Sequence, residues 1–424
     1  MHKGNFPALD RRHFVKHLAG LSLMALPGVQ FIQRLRAAAP TMRKEHKSMI
    51  ILWMSGGPSH MDTWDLKPDA PTGGEFKPMS TSVSGIQICE HLPTVAKQMH
   101  HLSIVRSLVT NEGSHERGRV LMHTARQPSV VTHYPSVGSV VAYELTPKEL
   151  ALPGFISIGR PADGPGFLGM NFAPFTVQNP GQPPNNIRPP TDVEDLRVGR
   201  RQQLFHAIED GFEKRGEAAK SHSEIYGKAF SLVAEKSGKK VFDLGGEKPG
   251  LLRDYGERGN FGKACLLARR LVEAGVPCVE IDLGGWDNHQ RIFPTLKTNL
   301  LPELDKGMGT LVRDLVDRGL WKNTVLVWLG EFGRTPRINQ NAGRDHWARC
   351  WSVVVGGGGI KGGQVIGSTS KDGTDVADRP TSVGDLFATL YKGLGIDPGL
   401  QIRDNVGRPH SIAGENGKPL PALV

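Results

Sequence analysis

The chain reads as an α/β protein built on a mostly parallel sheet, and three features predict it. Predominantly apolar runs of strand length recur at Met49–Met54, Cys278–Leu283, Thr324–Leu329 and Trp351–Val355, the pattern of strands covered on both faces. Segments with helical spacing alternate with them: Gly262–Glu273, with Ala264, Leu267 and Leu271 on one stripe, and Leu300–Leu320, with Leu301, Leu304, Met308, Leu311 and Leu315. No period of about 20 to 50 residues recurs, which argues against solenoids and propellers.

Taken in order, the first run stops at Ser55-Gly56-Gly57-Pro58 and feeds a loop carrying Ser59-His60-Met61-Asp62-Thr63-Trp64-Asp65. A helix is predicted near Leu92–Met99, a strand at Leu102–Leu108, and a polar loop from Thr110 to Glu116 that leads into Arg119–Thr124. Pro135–Leu145 has the pattern of another helix. Residues 173–192 are rich in Pro, Asn and Gln, and a charged stretch from Asp192 to about Ser237 has helices with mixed-sign faces. Residues 173–258 are therefore expected to form a helical insertion or cap on one domain spanning 40–424. Gly275-Val276-Pro277 turns the chain into the second strand, Gly356–Gly359 follows the last one, and Ser382–Leu394 closes the fold as a helix.

At 424 residues and 38% apolar content the chain is long enough for a substantial core, while 52 Gly and 30 Pro indicate many loops. Loops are where binding and catalytic groups concentrate. The formal charge of +10 comes largely from the N-terminus: residues 1–39 hold Lys3, Arg11, Arg12, Lys16, Arg34 and Arg36 against Asp10 alone, leaving a net +5 beyond them. That residual bias suits anionic substrates, and without aromatic interleaving it gives no nucleic-acid reader. Gly356–Gly359 followed by Lys361 lacks the spacing of a phosphate-binding loop.

Asp10-Arg11-Arg12-His13-Phe14-Val15-Lys16, the apolar run Leu18 to Ile32 and Ala37-Ala38-Ala39 resemble a twin-arginine export signal with its cleavage site. The run is broken by Pro27 and Gly28 and is shorter than the roughly 20 residues of a membrane span. The resemblance implies a leader over 1–39, passage through the twin-arginine export machinery, and a periplasmic or extracellular protein with no stable membrane span. Cys89, Cys265, Cys278 and Cys350 are too widely spread for a zinc knuckle; Cys265, Cys278 and Cys350, in apolar contexts, read as small buried hydrophobes, with a disulfide left open.

Acidic residues and histidines gather beside the predicted strands: Asp62 after the first, Asp287 and His289 after Cys278–Leu283, Glu331 after Thr324–Leu329, and Asp345-His346 before Trp351–Val355. Carboxyl ends of parallel strands share one rim, so such loops can converge. Carboxylates and imidazoles are the donors that divalent cations take. Each residue alone also has a structural account: Asp62 caps a turn, Asp287 shapes a loop, Glu331 pairs with Arg334 or Arg337, and His346 packs on Trp347.

The runs Gly56-Gly57-Pro58-Ser59-His60-Met61-Asp62-Thr63-Trp64-Asp65, Gly285-Trp286-Asp287-Asn288-His289, Glu331-Phe332-Gly333-Arg334-Thr335-Pro336 and Gly343-Arg344-Asp345-His346-Trp347 resemble the signatures of DUF1501 proteins, a branch grouped with alkaline phosphatases and sulfatases. The resemblance implies an alkaline phosphatase-like three-layer sandwich. It implies Asp62, Asp287, His289, Glu331, Asp345 and His346 as ligands of a divalent metal, zinc first, with calcium, magnesium or manganese as alternatives. It also places Ser114 or His115 in the nucleophile loop, with Arg117, Arg119 or Arg334 on the substrate's oxygens. Phe332 stands where that pattern has a His or Asn ligand, and the sulfatase Cys-x-Pro-x-Arg signature is absent. The function implied is hydrolysis of a phosphate or sulfate ester, on a small anionic ester or a sulfated or phosphorylated glycan. The alternative is a non-catalytic exported binding protein on the same scaffold.

Overall fold

A computed structural model describes residues 46–184, 195–209 and 240–424, with Gly216, Ala219 and Ser223 between them. The leader expected over 1–39 lies outside the described residues. The central sheet has eight strands: β1 Ser48–Trp53, β2 Leu102–Leu108, β3 Phe155–Ile158, β4 Phe175–Val177, β5 Cys278–Asp282, β6 Thr324–Leu329, β7 Trp351–Gly356 and β8 Val365–Ile366. Across the sheet they run in the order β8-β2-β7-β6-β1-β5-β3-β4.

β1 lies between β5 and β6, parallel to both, with Trp53 opposite Asp282 on one side and Leu329 on the other. All six of its residues are buried, because strand alternation sends Ile50 and Leu52 into one core and Met49, Ile51 and Trp53 into the other. The first core is closed by helices α3 (Phe261–Glu273) and α4 (Leu301–Asp317). The second is closed by α1 (His115–Thr124), α2 (Val137–Leu145) and α5 (Val383–Leu394). Two apolar layers around one sheet make an α/β three-layer fold, as the apolar runs predict.

β7 runs antiparallel to both β6 and β2, and every other neighbouring pair in the sheet is parallel. No crossover helix lies between β6 and β7, so the chain leaves the rim at Leu329, forms a loop with the two-residue ribbon Gly333–Arg334 paired to His346–Trp347, and comes straight back. This reversal decides where the site forms. A residue ahead of a parallel strand would sit on the opposite rim from Asp287 and Glu331, whereas Asp345 and His346, ahead of an antiparallel one, sit on the same rim.

Within the stretch expected as an insertion, Phe175–Val177 is the edge strand β4, and Val241, Phe242, Leu244 and Tyr255 belong to the first core. The two ends of 173–258 are thus part of the main body. The four cysteines are buried and free. Among the described residues no helix is long and apolar enough to cross a membrane.

Candidate metal centre

The site grows from the loop after β1. Gly56 and Gly57 have φ of +114° and +79°, and a Cβ at Gly56 would stand 2.4 Å from Asp287 N, one at Gly57 2.8 Å from the Phe332 ring. Only glycine lets this turn lie against the loops that follow β5 and β6. Gly56 N–H then donates to Glu331 Oε1 at 2.9 Å, and His115, the first residue of α1, brings Nδ1 to the same oxygen at 2.7 Å.

Asp287 is the hub. Its Oδ1 lies 3.0 Å from His289 Nε2 and 3.3 Å from His346 Nε2, and those two nitrogens are 3.0 Å apart. Its Oδ2 lies 3.3 Å from His115 Nε2. The donor atoms of His115, Asp287 and His346 fall within 4.8 Å of one another.

The far nitrogens fix the tautomers. His346 Nδ1 is 2.9 Å from the Gly113 carbonyl, which can only accept, so Nδ1 carries the proton. His289 Nδ1 donates to Asp345 Oδ1 at 2.7 Å, and its Nε2 accepts from Arg334 Nη1 at 3.5 Å. Burial first, and the Arg334 charge with it, lowers the His346 pKa and keeps that imidazole neutral. The unprotonated Nε2 of His346 therefore faces His289 Nε2 at 3.0 Å and a carboxylate oxygen of Asp287 at 3.3 Å, a donor set of the kind that a divalent cation takes. Asp287 is ionised: burial opposes its charge, but the hydrogen bond and charge of Arg334 prevail and hold its pKa at about 2.

The donor chemistry fits a divalent metal. Zinc bonds of about 2.0–2.1 Å at tetrahedral angles separate neighbouring donors by roughly 3.3–3.4 Å, close to the 3.0, 3.0 and 3.3 Å edges of the Asp287, His289 and His346 triangle. Each imidazole has an acceptor behind it, Asp345, Gly113 or Glu331, as ligating histidines do. Glu331 Oε2 and His115 Nε2 are buried without a hydrogen-bond partner beside the triangle.

The structure places the other sequence-derived candidates differently. Asp62 is turned away from the centre: Arg344 donates to both of its oxygens at 2.7 and 3.1 Å, and Ser59 donates at 2.6 Å, with Asp62 and Arg344 side chains fully buried. Three of its four acceptor sites are occupied by these donors, so its place in the structure is a buried ion pair with Arg344 and not the triangle. Asp345 backs His289 from outside the triangle. Ser114 is an exposed residue at the start of α1 whose side chain makes no cap bond, and the site's pocket does not reach it. Arg117 and Arg119 pair with Glu112 and Asp163.

Arg334 is fully buried and every N–H is committed: Nε to Gly57 O, Nη1 to Arg344 O and His289 Nε2, Nη2 to Gly56 O and Asp287 Oδ1. With no donor to spare for substrate, it positions Asp287 and the first loop. Phe332, also fully buried, packs 4.9 Å from the His115 ring and 4.7 Å from the His346 ring, a wall rather than a ligand.

A pocket of about 350 Å³ opens beside the cluster, lined by Trp53, Ser55, His115, Arg119, Arg160 and Asp287 among others. Asp282, the last residue of β5, lies 3.6 Å from Arg160 of that lining. Sequence reasoning passed over Ser55, Asp282 and Arg160. The signal for Asp282 was there, an acid closing the apolar strand Cys278-Val279-Glu280-Ile281.

No curated protein sequence matches the chain. Solved structures similar to it include a sulfatase from Pseudoalteromonas sp. (14% identity, TM-score 0.39, covering 86% of this chain and 70% of that one). Others are a protein in the alkaline phosphatase superfamily from Vibrio parahaemolyticus (11%, 0.38, 88% and 69%) and a phosphonate monoester hydrolase of Agrobacterium radiobacter (11%, 0.36, 89% and 77%). Residues 46–424 match the family described as "Protein of unknown function (DUF1501)", and the chain belongs to that family.

Proposed function

We propose that this protein is an exported metal-dependent hydrolase of phosphate or sulfate esters, with Asp287, His289 and His346 as the protein ligands of one divalent ion, zinc first. The observation that carries the reading is the triangle of donor atoms 3.0 to 3.3 Å on edge, with a hydrogen-bond partner behind both of its imidazoles. A bound divalent ion there would supply Lewis acidity and lower the pKa of a coordinated hydroxyl or water.

The chain's own residues supply the rest. Asp345 and the Gly113 carbonyl hold two imidazoles with Nε2 free, and Arg334 keeps Asp287 ionised and aimed. Arg119 and Arg160 line the pocket with side chains 45% and 74% exposed, placed to bind the non-transferred oxygens of an anionic ester. Buried Trp53 closes the pocket floor against water. A small anionic ester, or the ester group of a sulfated or phosphorylated glycan, is the substrate class these walls suit.

The second reading, a binding protein without catalysis, is favoured by the saturated Arg334 donors and by the Phe332 wall, which leave fewer groups for the transition state. Elemental analysis by inductively coupled plasma mass spectrometry, followed by turnover of p-nitrophenyl phosphate and p-nitrophenyl sulfate, separates them. Stoichiometric metal lost in Asp287→Ala and His346→Ala, with ester turnover in the loaded wild type, supports the hydrolase. Metal without turnover supports the binding protein, and no metal after reloading rejects the centre itself.

A further inference from the structure

Resting on the hydrolase reading, we infer that Ser55 is the nucleophile of this site and that Asp282 takes its proton. Ser55 is the second residue past the end of the central strand β1, at the start of the glycine turn that shapes the whole centre. Its backbone is held by its neighbours: Ser55 O accepts from Trp286 N–H at 3.3 Å, and the next N–H, that of Gly56, donates to Glu331. A residue so placed keeps its position relative to Asp287 and Glu331, with which it lines the same pocket.

The Ser55 hydroxyl makes no hydrogen bond of full geometry, and the acceptor it faces is the Asp282 carboxylate. The space between them is kept open by Gly284: a Cβ there would stand 3.3 Å from Ser55 Oγ, 3.5 Å from Asp282 Oδ2 and 3.8 Å from Arg160 Nη2. Hydroxyl, carboxylate and guanidinium thus surround one point at the pocket's edge. Burial raises the Asp282 pKa, with Glu280 and Glu331 adding to the rise against Ser55 and Arg160, which suits a group that accepts and returns a proton. Ser114, the sequence-derived nucleophile, has neither a basic partner nor a place in the pocket.

The Ser55 proton passes to the Asp282 carboxylate as the Oγ electron pair forms the bond to phosphorus or sulfur. The ester bond breaks with its electron pair on the leaving oxygen, opposite Oγ, which takes a proton from solvent while Asp282 gives its own to solvent. Water then gives a proton to Asp282 and attacks the Oγ-bound group. The bond to Oγ breaks, Ser55 regains the proton, and phosphate or sulfate departs. The sum is ester plus water giving alcohol plus phosphate or sulfate.

The test uses the metal-loaded protein with p-nitrophenyl phosphate and p-nitrophenyl sulfate, and the variants Ser55→Ala, Ser55→Cys and Asp282→Asn. Expected are a fall of roughly 10³-fold or more in kcat for Ser55→Ala and of roughly 10²–10⁴-fold for Asp282→Asn, with metal content and thermal midpoint unchanged. After an acid quench during wild-type turnover, peptide mass spectrometry should find one phosphoryl group on Ser55, and a chiral phosphate ester should react with retention. Turnover in Ser55→Ala within threefold of wild type, or inversion at phosphorus, overturns the assignment and leaves the hydrolase reading intact. Bound metal with no turnover of either ester in the wild type overturns both.

Discussion

Asp62 and Arg344, 282 residues apart in sequence, form a doubly hydrogen-bonded ion pair with both side chains fully buried. Arg344 also donates to the carbonyls of Thr72, Thr335 and Pro336, so the pair ties the loop after β1 to the loop between β6 and β7. Removing one partner leaves the other charge buried without compensation. Asp62→Ala is expected to cost about 3–5 kcal/mol of stability, read from urea unfolding. Metal content per folded chain should stay as in wild type, and loss of metal without loss of stability would return Asp62 to the ligand set.

The His289 to Asp345 contact separates an orienting carboxylate from a ligating one. Asp345 reaches the centre only through His289 Nδ1, at 2.7 Å, and Asn339 also donates to the same oxygen at 3.1 Å. Asp345→Asn keeps the shape but weakens the acceptor, so metal affinity should fall about 10–100-fold. Asp287→Ala should abolish binding. Competition with a chelator of known affinity measures both, and equal loss in the two variants would make Asp345 a direct ligand.

The sheet was legible because β1 and β6 are buried on both faces and so carry nearly unbroken apolar runs, while β5 is interrupted only by Glu280 and Asp282. Phe155–Ile158 and Phe175–Val177 escaped because they are short and lie among Gly, Pro and Asn. The direction of β7 leaves no trace in composition, since a doubly covered antiparallel strand is as apolar as a parallel one. It follows from the missing helix between Leu329 and Trp351, and that is what brings His346 to Asp287. The residue types at the rim marked the centre, but their roles depended on contacts across distant segments. Nothing near Asp62 in sequence announces Arg344, and nothing near Arg334 announces that three loop carbonyls will absorb its donors.

A second buried charge cluster lies behind the pocket and gives a pH dependence of stability. His123 in α1 is enclosed, with Nε2 3.3 Å from Glu280 and Nδ1 3.0 Å from Asp163. Burial pulls its pKa down, but Glu280 and Asp163 prevail and raise it to about 9 from 6.5. With the folded value above the unfolded one, the stabilisation is complete below about 6.5 and is lost as pH rises through about 9. The thermal midpoint should therefore fall between those values in wild type, and the fall should flatten in His123→Gln. The same slope in both proteins would locate the effect elsewhere.

Gly56 connects the turn after β1 to the metal centre, and it can be separated from a general glycine effect. At φ +114° a side chain costs of order 1–3 kcal/mol in backbone strain, and here the added Cβ would also lie 2.4 Å from Asp287 N and 2.8 Å from Trp286 C. Relief requires the Trp286–Asp287 backbone to move, which carries Asp287 Oδ1 away from His289 and His346. Gly85 is the control: its φ is +81°, and a Cβ there meets nothing within 4 Å. Gly85→Ala should lose stability by strain alone and keep its metal, whereas Gly56→Ala should lose stability and about tenfold or more in metal affinity. If the two variants bind metal equally well, the turn after β1 does not set the position of Asp287.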